Sequence, residues 1–251
     1  MNVPQGKSNG EIDRPARRVG RPTTTVLTRS LIAEAALRLL DESGADGFTM
    51  SRLAQALRVR PSALYNHVDG KEDVIAGVRE LISDRIDVSA FATEPWDKAM
   101  QQWAYSYRVA FATHPPTIAL LATLPVRGAR RTLRMYDTVV AAMVRAGWPE
   151  EEVLSTIVAV ESFILGSALD AVAPGDMFDP AGEEARVPSF ASAYAARAAA
   201  IGATPPADGA FAIGLHAILD GLRARFGEIT AGHSEGRFGP GGKAAKAPTS
   251  A

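Results

Sequence analysis

The sequence contains no cysteine, which excludes disulfide bonds and thiolate metal sites and is typical of proteins in a reducing cytoplasm. It has no uninterrupted run of 18 or more apolar residues, and its N-terminus lacks the hydrophobic segment of a signal peptide. We therefore expect a soluble, cytoplasmic protein without a membrane partner. Apolar residues make up 47% of the 251 positions, which is ample for a buried core.

The residue patterns of an enzyme are also missing. The chain contains no phosphate-binding loop, and its four histidines lie far apart in the sequence. Glu161 and Asp170 are isolated acids in an apolar segment, whereas catalysis by carboxylates usually needs a pair. We expect no catalytic activity, no metal site and no cofactor.

Neither strand-type alternation nor an internal repeat occurs, and helical periodicity throughout predicts an all-α fold. Composition and periodicity divide the chain into four parts. These are a disordered basic arm at residues 1–25, a small N-terminal domain at 26–86, a larger helical domain at 87–230 and a disordered tail at 231–251.

The charge distribution separates the two predicted domains. Although the net charge is only −1, Arg14–Lys71 contains ten basic and five acidic residues, which leaves about −6 for the remainder. A basic N-terminal part on an acidic remainder indicates a polyanion bound by the first part only. The arginines of the predicted arm could reach into a DNA minor groove or could form a solvated tail.

The segment Thr49–His67 has the pattern of two short helices joined by a tight turn. Thr49 can cap the first helix, whose apolar stripe is Met50, Leu53, Ala54 and Leu57. Pro61 can open the second helix, in which Leu64 and Val68 would face inward. The opposite face would carry Ser62, Ala63, Tyr65, Asn66 and His67. Such a face suits a DNA major groove, but a plain helical hairpin would show the same spacing.

This segment resembles the helix-turn-helix signature of the tetracycline-repressor (TetR) family of bacterial regulators. The matching positions are Thr49, Leu53, Ala54, Leu57, Val59, Leu64, Tyr65, His67, Val68 and Lys71. Two positions depart from the family pattern, because Arg58 replaces the usual glycine of the turn and Arg60 replaces a common capping serine. Glycine there normally serves a positive φ, which arginine can adopt at a cost of roughly 1–2 kcal/mol.

Two flanking helices complete the predicted N-terminal domain. One should begin at Thr28 and end at Gly44, behind the helix-turn-helix. The other, a connector to the second domain, should open with a capping box of Asp69 and Glu72 and extend to Ile86.

The second domain should be a helical bundle for regulation and dimerisation. Its two most apolar helices, at about 149–172 and 208–229, carry more apolar surface than one subunit can cover, which implies a partner subunit. The resemblance implies the same arrangement, a homodimer joined through a four-helix bundle of the last long helices.

The resemblance further implies a sequence-specific transcriptional regulator, in most members a repressor, that a small-molecule effector releases from a palindromic operator in double-stranded DNA. We expect Lys71 and Tyr65 to contact phosphates, and Asn66, Ser62 and Arg52 to reach base edges. The full expected DNA-contact set is Thr49, Ser51, Arg52, Arg60, Ser62, Ala63, Tyr65, Asn66, His67 and Lys71. An architectural DNA-binding protein without effector control is the alternative.

Aromatic residues and a few polar groups of the second domain are candidates to line the effector pocket. They are Trp103, Tyr107, His114, Thr117, Met135 and Phe163. The apolar members could equally be plain core residues. His114 resembles a ligand-contacting histidine of the family by position, although a histidine before two prolines could also cap a helix.

Overall fold

The computed structural model describes Met1, residues 26–202 and residues 204–237, and all regular structure within these ranges is helical. The all-α prediction is thereby confirmed. The predicted arm at 1–25, except Met1, and residues 238–251 of the predicted tail lie outside the described residues. The helices are α1 (Arg29–Ser43), α2 (Met50–Ala56), α3 (Pro61–Leu64), α4 (Lys71–Ser83), α5 (Trp96–Ala112), α6 (Ile118–Thr123), α7 (Arg130–Ala146), α8 (Glu150–Asp170), α9 (Pro188–Ile201) and α10 (Pro206–Arg237).

The first three helices form a small bundle around a shared apolar core. Thr28 caps α1 and Thr49 caps α2, each with a side-chain oxygen that accepts a backbone N–H bond of 3.2 Å. The core side chains, which are almost fully buried, are Ile32, Leu40, Phe48, Leu53 and Leu64. Helix α4 packs along α1 and continues into the second domain, as expected of a connector.

The start of α4 differs from the predicted capping box. The N-cap is Gly70, and no side chain caps the helix there. Instead, the carboxylate of Asp73 accepts the backbone N–H of Asp69 at 3.0 Å. The acid that accepts this N–H is therefore Asp73, whereas the prediction named Glu72, one residue earlier. The helix also ends at Ser83, earlier than predicted, although Ile86 remains buried.

Helix α5 is the centre of the second domain and packs against α8, α10 and α7. One of its faces is buried along its whole length and carries Trp96, Met100, Trp103, Tyr107 and Phe111. At the Trp96 end, the rings of Trp148 and Phe226 lie 5.2 and 5.5 Å away, so α5, the α7–α8 connection and α10 share one aromatic cluster.

Helices α8 and α10 pack together but leave apolar side chains uncovered. The absence of a Cβ at Gly214 permits the close approach, because a Cβ there would lie 2.5 Å from the ring of Phe163. Helix α10 runs to Arg237, beyond the predicted end near residue 230. Helix α8 is the one described helix long and apolar enough to cross a membrane, a property that core helices of soluble proteins share.

Candidate nucleic-acid interface and regulatory domain

One face of the helix-turn-helix packs on the core, and the opposite face is exposed to solvent. Leu64 and Val68 are buried, as predicted, while Ser62, Tyr65 and Asn66 are exposed. The Tyr65 side chain is 55% accessible. Ala63 and His67 are partly exposed at the edges of this face. The expected contact residues of α3 therefore lie together on one open surface.

The turn between α2 and α3 contains Arg58, which stands where the family pattern usually has glycine. Arg58 adopts a φ of 56°, the left-handed conformation usually given to glycine. The backbone N–H of Val59 still reaches the carbonyl of Ala54 at 2.9 Å. The turn therefore retains its geometry, with an exposed arginine side chain at its tip.

The structure places Arg52 away from the α3 surface. Its Nη1 donates to the carbonyl of Gly47 at 2.6 Å, and its Nη2 donates to Ser43 Oγ at 3.0 Å. Reading a base would require Arg52 to release both bonds. In the present arrangement the guanidinium fastens α2 to the end of α1. Thr49, Ser51 and Arg60 are exposed, and Thr49 also serves as the α2 cap.

Lys71 is held at the start of α4, beside the helix-turn-helix. Its Nζ donates to the carbonyl of Phe48 at 3.3 Å and lies 5.4 Å from the centre of the Phe48 ring. The side chain is nevertheless exposed. A phosphate could therefore approach an ammonium group that is already positioned.

Sequence analysis missed Arg29, which fixes the segment that follows α3. Its guanidinium donates to the carbonyl of His67 at 2.8 Å and pairs with Asp73. These contacts connect the segment after α3 to both α1 and α4. No local pattern could have revealed it, since Arg29 and His67 are 38 residues apart.

The effector candidates of the second domain gather around α5. Trp103 and Thr117 are fully buried, Tyr107 and Met135 nearly so, and Phe163 partly. The ring of Trp103 lies 5.1 Å from that of Tyr107, but its Nε1 is buried and has no hydrogen-bond partner among the described residues.

Tyr107 belongs to a buried polar cluster that sequence analysis did not identify. The hydroxyl groups of Tyr107 and Tyr136 both donate to the Oε1 of Glu161, the latter at 2.5 Å. Glu161 is thus not an isolated acid in the fold. Burial raises the pKa of both tyrosines above the usual value, so both phenols remain protonated donors.

His114 bridges the two domains. Its Nδ1 lies 2.8 Å from Oδ2 of Asp41 in α1, and its Nε2 lies 2.8 Å from Nη1 of Arg85 after α4. A neutral ring with its proton on Nδ1 satisfies both partners, since Arg85 can only donate. The imidazole makes no helix cap. An effector could reach its nitrogens only by opening this bridge, so the ligand contact expected of His114 stays a prediction.

A second set of interdomain bonds joins α4 to the start of α7. The carboxylate of Glu80 accepts the backbone N–H of Arg131 at 2.8 Å and its Nε at 3.2 Å. Asp84 pairs with the same guanidinium at 2.5 Å, and Thr132 donates to Ser83 at 2.9 Å. Movement of α7 would therefore be passed directly to the helix that carries Lys71.

Comparison with known protein families matches both domains. Residues 32–78 match the family described as bacterial regulatory proteins, tetR family, and residues 92–226 match the tetracyclin repressor-like C-terminal domain. The second match alone spans more than half of the chain.

Individual relatives agree with this assignment. The tetracycline repressor protein class E of Escherichia coli is 28% identical over 200 residues, which are 78% of this chain and 91% of the relative. A crystal structure of a possible TetR family transcriptional regulator from Streptomyces coelicolor A3(2) is 29% identical, with a TM-score of 0.61, and the match covers 78% of this chain and 98% of that one.

The fold is also shared with ActR of Streptomyces coelicolor, solved in complex with actinorhodin. That match has 21% identity and a TM-score of 0.62, and it covers 79% of this chain and 97% of ActR. With both domains matched in order, the chain belongs to the tetracycline-repressor family of DNA-binding transcriptional regulators.

Proposed function

We propose that this regulator is a homodimeric repressor that reads a palindromic operator and is released from it by a small-molecule effector. The observation that carries the proposal is the open face of α3, where Ser62, Tyr65 and Asn66 are exposed above the buried Leu64 and Val68. A face of this kind is complementary to the edges of bases in a major groove.

The residues of this face divide into two roles. Tyr65 and Lys71 contact phosphates and set the position of the helix, because both are exposed and can donate to an oxygen anion. Asn66 and Ser62 read base edges, and Ala63 can touch a thymine methyl group. Arg52 contributes to base reading only if it leaves Gly47 and Ser43. The remaining contacts are expected at the sugar–phosphate backbone of the DNA and involve Thr49, Ser51, Arg60 and His67.

A dimer would cover the apolar surface of α8 and α10. Leu154 and Val158, which lie one turn apart on α8, are 62% and 55% exposed, and Ile213 of α10 is 76% exposed. Burial of such a surface against a second copy stabilises association through the hydrophobic effect. The two recognition segments would then face successive turns of one side of the duplex.

Effector control follows from the position of the bonds between the domains. ActR, which shares this fold, was crystallised with actinorhodin. Here, a ligand that displaced α6 or α7 would act on α4 through Arg131 and on α1 through His114. The differential binding energy needed for such coupling is about 1–3 kcal/mol. A DNA-bound regulator of this kind would reside in the cytoplasm and would have no catalytic role.

The proposal is tested by selecting duplexes from a random pool with the full chain and then footprinting the selected sites. A dimeric repressor should enrich an inverted repeat, and Asn66→Ala should lose the preference while it retains weak binding to any duplex. A panel of small molecules is then screened for release of the selected site. Uniform coating of DNA, with no enriched repeat, would instead indicate an architectural protein.

A further inference from the structure

A crevice lies between the connector helix and the loop that follows α6. Its volume is about 150 Å³, and it is partly open to solvent. The apolar lining consists of Ile75 and Ala76 of α4 together with Leu124 and Pro125 of the loop. The charged lining consists of Arg79, Arg127 and Glu72. An apolar cavity of about this volume holds one benzene ring.

Arg79 is the unusual member of the lining. Its side chain is only 8% exposed, yet no carboxylate lies within ion-pair distance among the described residues. Nη2 donates to the carbonyls of Leu121 and Leu124, both at 2.7 Å, whereas no hydrogen bond within the described part of the chain uses Nη1 or Nε. Burial lowers the pKa of this guanidinium from its usual value, which reflects the cost of an incompletely paired cation.

The surrounding charges favour an anion. Glu161 attracts Arg79 through space but does not pair with it, and its Oε1 instead accepts the hydroxyl groups of Tyr107 and Tyr136. Arg127 adds a second positive charge at the rim, and Glu72 adds one negative charge. Both rim side chains are exposed, so each can turn into solvent, whereas Arg79 cannot.

We propose that this crevice binds a small organic carboxylate, with the anionic group on Arg79 and a ring-sized apolar body against Ala76 and Leu124. The pocket would distinguish both ends of one molecule, because a neutral analogue offers no charge to the Nη1 and Nε of Arg79 and a body larger than one ring would extend out of the crevice. The occupant would sit directly between α4 and the C-terminal end of α6. Only its role as an effector rests on the proposed repressor function; the binding site does not.

The test uses the full chain without DNA and two probes of similar size, benzoate and benzyl alcohol. Titration calorimetry should show saturable benzoate binding at a concentration below about 10 mM, and at least tenfold weaker binding of benzyl alcohol. Arg79→Gln should weaken benzoate binding at least tenfold. Arg134→Gln, which changes an exposed arginine on α7 outside the crevice, should leave the affinity unchanged.

Because Arg79 also holds two carbonyls of α6 and its following loop, its replacement could unfold the domain. Ala76→Leu provides the independent variant, since it fills the crevice and retains the arginine. Circular dichroism and melting temperatures establish that each variant is folded. Absence of saturable benzoate binding, equal binding of benzyl alcohol, or unchanged benzoate affinity in folded Ala76→Leu would each overturn the proposal. None of these results depends on whether the chain represses transcription, so failure of the site is distinguishable from failure of the proposed function.

Discussion

Asp41 and His114 are 73 residues apart in the sequence, yet the carboxylate of one lies 2.8 Å from the Nδ1 of the other. The bond joins α1 of the DNA-binding domain to the segment that ends α5 of the regulatory domain. Since Arg85 occupies the opposite ring nitrogen, His114 is a fixed bridge between three segments of the chain.

We predict a coupling free energy of about 1 kcal/mol between Asp41 and His114, because a partly exposed hydrogen bond contributes about that much. Urea unfolding of Asp41→Ala, His114→Ala and the double variant would measure it. A matched cycle with Asp46→Ala, an exposed acid of the α1–α2 connection, should be additive. Additivity in both cycles would mean that Asp41 and His114 have no pairwise interaction that stabilises the fold.

Replacing the strained turn residue should stabilise the protein. Arg58→Gly relieves the left-handed conformation at φ 56°, and we expect a net gain of about 0.5–1 kcal/mol after the greater entropy of the unfolded glycine chain is subtracted. Arg60→Gly is the control, since Arg60 has a φ of −75° and offers no strain to relieve. The prediction fails if both variants shift the free energy of unfolding alike.

Lys71→Ala should weaken DNA binding across all sequences, because the ammonium group near Phe48 is expected to contact a phosphate. The slope of log affinity against log salt should flatten by about one. Lys98→Ala, on α5 outside the helix-turn-helix, should leave that slope unchanged. A changed sequence preference with an unchanged slope would assign Lys71 to a base instead.

Leu154→Glu should yield folded monomers, because it introduces a charge into the apolar surface of α8 that a second copy is proposed to cover. The control is Val109→Glu on α5, since Val109 is 61% exposed and Leu154 is 62% exposed. Sedimentation velocity would compare the two. If both variants remain dimeric, the interface lies elsewhere; if both dissociate, the effect is not specific to α8.

The local features of the fold could be predicted because each depends on residues close in sequence. The caps at Thr28 and Thr49 and the inward Leu64 and Val68 follow from spacing within one or two turns, whereas the positive φ at Arg58 was indicated only by the glycine that the family pattern has there. The capping box at the start of α4 was wrong, because Gly70 rather than Asp69 is the N-cap and Asp73 rather than Glu72 accepts the backbone N–H of Asp69.

The polar bonds that connect distant segments could not be predicted from the sequence. Glu161 was interpreted as an isolated acid, but its partner Tyr107 lies 54 residues earlier and meets it only when α5 packs on α8. The bonds of Arg52 to Gly47 and Ser43 were likewise not anticipated, and its contact with DNA stays a prediction. In each case a long polar side chain had several possible partners, and the packing of the helices determined which one it met.

The most direct test counts the chains that bind one selected duplex. Sedimentation equilibrium of the full chain with a labelled duplex, combined with footprinting, gives the stoichiometry and the protected positions together. A dimeric regulator should place two chains on each duplex and protect two half-sites separated by about 34–36 Å, one turn of DNA. One chain per duplex, or protection that extends evenly along it, would contradict the paired helix-turn-helix.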